Sequence, residues 1–173
     1  MTLSMYQASV PVLVQHLNAL MTVLDKADAF ATGKKVDPTV LLNARLAPDM
    51  FPLSRQVQIA CDFAKGLAAR LATVDVPSYE DTETSIPELK ARIKKTIDFI
   101  SGLKPAQIDG SEGRSIEIKM AGKAVTFKGQ PYLVNFAMPN FFFHLAMTYG
   151  ILRHNGVDLG KRDFMGAIPG MSA

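Results

Sequence analysis

Near the start of the chain, Tyr6, Val10, Leu13, Leu17, Leu20, Leu24 and Ala27 recur at alternating spacings of four and three, which places them on one stripe of a long amphipathic helix. Gly33 is the expected stop. Pro11 lies inside the pattern, so the helix either kinks near its first turns or properly begins there. Leu41 to Leu46 can form a short helical turn before Pro48 and Pro52 punctuate the chain, with Asp49 as a candidate cap. A second long helix is predicted from Ser54, as N-cap, through Val57, Ala60, Phe63, Leu67 and Leu71, ending before Val76-Pro77.

Ser85-Ile-Pro-Glu88 has capping-box spacing and opens a third helix, whose stripe runs Ile86, Leu89, Ile93, Thr96 or Ile97, Ile100 and Leu103 until Pro105. Between Arg114 and Lys128 the period changes to two. Ile116, Ile118 and Met120 should face Val125 and Phe127 across Ala121-Gly122-Lys123, a β-hairpin. A fourth helix should start near Pro139 or Asn140 and run to Asn155, with Gly156 as its left-handed stop and a short turn over Lys161 to Met165 closing the fold. These elements predict an all-α, up-and-down four-helix bundle with a small β-hairpin inserted before the last long helix. Any site would lie between facing helices.

Composition agrees with one domain over 1–173. The chain is 48% hydrophobic and 20% charged, enough for a packed core without disulfides, and Cys61 is its single cysteine. The net charge of +3 is spread along the chain. The densest basic run, Lys90 to Lys95, interleaves with Ile93 and reads as a solvated helix face, so no nucleic-acid partner is expected. The opening residues lack the basic-then-apolar order of a secretory signal, which points to a cytoplasmic location. No membrane span is expected either, because Pro139, Asn140 and His144 interrupt the Phe136 to Leu152 stretch. Phosphate loops, a nucleophilic serine elbow and Cys-x-x-Cys pairs are missing, and Gly110-Ser-Glu-Gly113 reads as a turn.

Phe142-Phe-His-Leu-Ala-Met-Thr-Tyr149, followed by Leu152-Arg-His-Asn-Gly156, resembles the last bundle helix of the DinB/YfiT-like superfamily. With Ala44-Arg-Leu-Ala-Pro-Asp-Met-Phe-Pro-Leu53 and the helix it introduces, the chain is similar over nearly its whole length to a DinB-related family of unknown function. The resemblance implies the bundle, homodimerisation, and in many members a divalent metal held by three histidines. One of these sits on the second helix and two sit four residues apart on the last. Some members are thiol-dependent transferases or isomerases that use this metal, since residues four apart share a helix face and a third imidazole completes an open site. Here the pattern breaks. Four residues on from His144 stands Thr148, eight on stands Leu152, and the second helix has no histidine. His144 and His154, ten apart, are separated by about 15 Å along a helix. The histidine triad is not present, so no metal or other cofactor is assigned.

Asp62, His144 and Tyr149 are the pocket candidates. Asp62 and Cys61 lie on the helix where relatives carry their lone histidine, and either a carboxylate base or a thiolate nucleophile could face the centre there, although a surface Asp beside a small buried Cys is the favoured reading. His144, flanked by Phe141, Phe142, Phe143 and Leu145, needs a partner for each ring nitrogen if buried, with Tyr149, Asp62 and Asn140 of suitable type. His16 reads as a hydrogen-bonded edge residue, and Arg153, His154 and Asn155 as a C-terminal turn that meets the helix dipole. The leading functional expectation is a protein that binds a small molecule or another partner. The alternative is a divergent metal- or thiol-dependent transferase with an interhelical pocket around His144.

Overall fold

The computed structural model describes residues 3–171. In chain order it contains α1 (Val10–Lys34), α2 (Pro38–Asn43), α3 (Leu53–Ala72), α4 (Ile86–Ser101), α5 (Pro105–Ile108), β1 (Ser115–Met120), β2 (Lys123–Lys128), α6 (Gly129–Pro131), a π-helical turn (Tyr132–Ala137), α7 (Met138–His154) and α8 (Lys161–Met165). The fold is mostly helical with one small antiparallel hairpin.

α3 is the axis of the packing. It lies against α4 on one side and α7 on the other, while α1 packs on α4 and α8. Leu53, Val57, Ala60, Cys61, Ala64, Leu67 and Leu71 are sealed along it, and meet Leu13, Leu17, Leu24, Leu89, Ile93, Ile100 and Phe141 from its neighbours. Each large aliphatic side chain removed from water in this way contributes about 1.5–3 kcal/mol, which is why the apolar stripes determine the helix faces.

Helix ends show where local chemistry and tertiary demands part. Pro11 sits in the first turn of α1, where its missing N–H has no intrahelical partner to lose, so α1 begins there. It ends beyond Gly33, at Lys34, and Lys35 takes the left-handed conformation at φ 54°. The Val36 N–H bonds the Ala31 carbonyl at 2.9 Å to close that end. Neither Asp49 nor Ser54 caps α3. Pro52 occupies the N-cap without a side-chain bond, and the Leu53 N–H is satisfied by the Ala44 carbonyl at 3.0 Å. The Ser85/Glu88 box forms as expected: Glu88 N–H donates to Ser85 Oγ at 3.3 Å and Ser85 N–H to Glu88 Oε2 at 3.0 Å.

The hairpin pairs Ile116 with Phe127 and Ile118 with Val125, as the alternation predicts, but its turn is the two residues Ala121 and Gly122, with Lys123 already paired to Met120. Ile116 and Ile118 point into the core. Arg114 anchors the base of β1 to the end of α3 by donating to the Leu71 carbonyl. As β2 leaves the hairpin, Gly129 passes so close to Ser111 that a Cβ would stand 1.9 Å from its carbonyl oxygen.

The last long helix starts earlier than Pro139. The chain turns helical at Gly129, widens into the π-turn and runs on through α7 to His154. Pro139 has no N–H and a ring that crowds the preceding turn; the widened turn lies directly upstream, where an unmodified α-ladder would otherwise break. Asn140 Nδ2 donates to the Phe136 carbonyl at 2.7 Å, giving one carbonyl of the widened turn a side-chain partner. No helix of the described residues is long and apolar enough to cross a membrane.

Candidate functional site

The π-turn and the hairpin together form a cleft against α3. Its volume is about 490 Å³, within the range of small-molecule sites. Phe63 of α3 and Tyr132 and Phe136 of the π-turn supply the apolar wall, and β1 closes the other side with Ile118 and Met120. The aromatic rings support one another. Phe136 lies 5.9 Å from Tyr132, 5.9 Å from Phe63 and 5.2 Å from Phe127 by ring centroids. Four charged side chains, Asp62, Arg70, Glu117 and Lys119, complete the lining. Tyr132 is sealed at 1% exposure, and its hydroxyl accepts a bond from Arg70 Nη1 at 3.1 Å. Burial pushes this phenol above its usual range, and the nearby Arg70 offsets part of that shift.

Asp62, His144 and Tyr149 do not meet in one pocket. Asp62 stands at the edge of the cleft and reaches toward α4, where its Oδ1 accepts from Arg92 Nη2 at 2.9 Å; Lys65, one turn on along α3, pairs with the same oxygen at 3.0 Å. Tyr149 turns the other way, toward α8, and its hydroxyl donates to the Leu159 carbonyl at 3.3 Å. Its ring borders a void of about 10 Å³ with His16, Leu145 and Phe164, room for at most about one water. His16 is hydrogen-bonded as expected, with Nδ1 on the Val12 carbonyl at 2.9 Å, but it is buried rather than at an edge, its ring edge-on to Phe142.

His144 faces α3, and its partner is none of Tyr149, Asp62 or Asn140 but Gln56, whose Oε1 lies 2.7 Å from Nδ1. The Gln56 amide is itself oriented, since its Nε2 donates to the Phe51 carbonyl at 3.2 Å. Oε1 is therefore the acceptor, Nδ1 carries the ring proton, and Nε2 holds the lone pair with no partner among the described residues. Phe63 stacks on the ring at 5.9 Å. Burial, reinforced by the charge of Arg55, pushes His144 down to about 4, so the imidazole is neutral near pH 7.

This arrangement does not fit the three-histidine metal that the resemblance implies. On α3 the residue facing His144 offers an amide oxygen already bonded to Nδ1, and Thr148, one turn along α7, donates its hydroxyl to the His144 carbonyl at 2.9 Å. No group of three or more His, Cys, Asp or Glu side chains among the described residues is arranged to hold an ion.

Cys61 is fully buried, and burial pushes its thiol up to about 12, which suits a small packing residue rather than a nucleophile. One turn away from it in space is a feature that no motif announced. Arg92, with only 2% of its side chain exposed, bonds Asp62 and Asp81 through Nη2, both at 2.9 Å, and Glu83 and the Glu80 carbonyl through Nη1, both at 3.0 Å. Tyr79 lies among the same cations, with Lys95 Nζ 4.3 Å and Lys65 Nζ 4.6 Å from its ring centre. The long connection between α3 and α4 is held down by this cluster.

The class defined by this architecture is that of DinB-family proteins. The chain is similar to a DinB family member protein from Shewanella denitrificans, known from its crystal structure, with 42% identity, a TM-score of 0.87, and coverage of 97% of this chain and 95% of that one. The model of the family described as a domain of unknown function, DUF1993, matches residues 5–165, and the chain belongs to that family. No curated protein matches it.

Proposed function

We propose that this chain is a small-molecule-binding protein whose ligand occupies the cleft between β1, α3 and the π-turn. The observation that carries the reading is the combination there of a volume of about 490 Å³, an aromatic wall and convergent charged groups. In this reading α1, α3, α4 and α7 form an up-and-down four-helix bundle that supplies a rigid floor, and the hairpin covers one side of it. The protein works in the cytoplasm as a homodimer without nucleic acid; Phe51 and Phe143, 54% and 50% exposed, are apolar side chains that a second copy would cover. The test is a fragment screen by thermal shift, followed by Phe136→Ala. Binders should raise Tm for the native chain and lose their effect on the variant. Binders indifferent to Phe136 would place the ligand elsewhere.

A second reading, a divergent transferase acting on thiols, rests on His144. Its fixed tautomer leaves a neutral Nε2 whose lone pair can accept a hydrogen bond from a thiol or hydroxyl and orient it for attack. Turnover of a low-molecular-weight thiol with an electrophilic acceptor should then fall about a hundredfold in His144→Gln, the scale of a misplaced reacting group. A rate unchanged in that variant would remove this reading.

A further inference from the structure

We infer that the cleft selects monoanions with a flat apolar body, the anionic group docking on Arg70; this rests on the small-molecule reading above and gives it a ligand class. Arg70 emerges from the last turns of α3 and folds back along the helix. Gly66, one turn earlier, makes that possible, because a Cβ there would stand 2.4 Å from Arg70 Nη1. Held over the bare backbone, the guanidinium reaches Tyr132 and lines the cleft. A phenol is a neutral partner. Among the described residues no carboxylate lies within 4.0 Å of Arg70, although Asp62 and Glu117 line the same cleft. A guanidinium has five N–H donors in a planar fork suited to an oxyanion, and only one of them is used here.

The charge around the cleft limits the ligand further. Asp62 is already shared between Arg92 and Lys65. That leaves Arg70 and Lys119 against Glu117, an excess of one positive charge, and one anionic group balances it. Phe63, Phe136, Ile118 and Met120 then offer ring and aliphatic surface to the rest of the molecule.

Two related dyes separate the elements of this proposal: anilinonaphthalene sulfonate, an aromatic monoanion, and phenylnaphthylamine, the same skeleton without the sulfonate. The native chain should bind the sulfonate roughly tenfold more tightly, as a charge-assisted hydrogen bond predicts, with a preference that shrinks as salt rises. Arg70→Gln, which keeps a donor for Tyr132, should remove the preference and leave the neutral dye unchanged; that unchanged binding also reports an intact cleft. In the unmodified protein, naphthoate should displace the sulfonate dye at roughly tenfold lower concentration than naphthalenemethanol. Equal binding of both dyes, or stronger displacement by dianionic naphthyl phosphate, would overturn the monoanion assignment. In either case Phe136→Ala reports on the cleft itself: weaker binding of both dyes leaves the small-molecule reading standing, and unchanged binding removes it together with the assignment.

Discussion

Arg70 and Arg92 leave neighbouring helices with the same guanidinium, and their surroundings differ in a way that separates scaffold from site. Arg92 is met by three carboxylates and a carbonyl, so its charge is spent within the fold. Arg70 is met by one phenol hydroxyl, and its charge stays available at the edge of a cleft. His144 handles burial in a third way, by giving up its charge and keeping a lone pair. A base packed against the fold can be paired, neutralised or left open to a ligand, and all three outcomes occur within one small domain.

Breaking the Arg92 cluster should cost most. Arg92→Ala leaves Asp62, Asp81 and Glu83 without their shared cation, and urea unfolding should show a loss of about 3 kcal/mol, the low end for a buried ion network because Asp62 and Asp81 are more than a third exposed and keep Lys65 and Arg55. A loss under about 1 kcal/mol would mean that the cluster is solvated and the contrast with Arg70 is false.

The next effect belongs to His144. Its folded value, about 4, lies below the ordinary value of 6.5 that the unfolded chain keeps, so the unfolded state takes up a proton first as pH falls. Stability attached to this group is complete above about pH 6.5 and is lost progressively down to about pH 4. The loss should be of order 2–3 kcal/mol in the difference between the native chain and His144→Leu across that window. Identical pH slopes in both proteins would show that the imidazole is hydrated.

Smaller effects sharpen the open site. Tyr132→Phe removes the hydrogen bond to Arg70 and should cost about 0.5–1.5 kcal/mol by thermal unfolding, with no change in helix content by circular dichroism. Arg70→Gln should fall within about 0.5 kcal/mol of the native chain, because the side chain breaks no ion pair. A large destabilisation there would make Arg70 structural after all.

Much of this fold could be read from local pattern. The Ser85/Glu88 box, the hairpin pairing of Ile116 with Phe127, and the stripes on α1, α3 and α4 are each set by residues close in sequence. What escaped depends on distance or on compensation. His144 finds Gln56 from another helix, 88 residues away, and nothing in the flanking phenylalanines indicates an amide partner. Arg92 sits inside what reads as a solvated basic face, and only the path of the α3–α4 connection brings Asp81 and Glu83 onto it. Lys35 and Thr73 adopt left-handed helix ends where glycine would be expected, because the packing of α1 and α3 outweighs their local preference. The cleft had traces that a reader could have used: the spacing of Phe127, Tyr132 and Phe136, and Gly66 one turn before Arg70.

The widened turn at Tyr132–Ala137 also bears on how such a cleft can arise and change. A π-turn is an α-helix carrying an extra residue, and removing one residue there would let the ladder close as ordinary α-helix. The segment leading from β2 into the turn, Gly129–Pro131, would be rotated by about 100° around the helix axis relative to α7. Tyr132 would leave Arg70, and the aromatic wall would face a new direction. The length of this one turn, and not only the side chains around it, therefore sets which surface the cleft presents to a ligand.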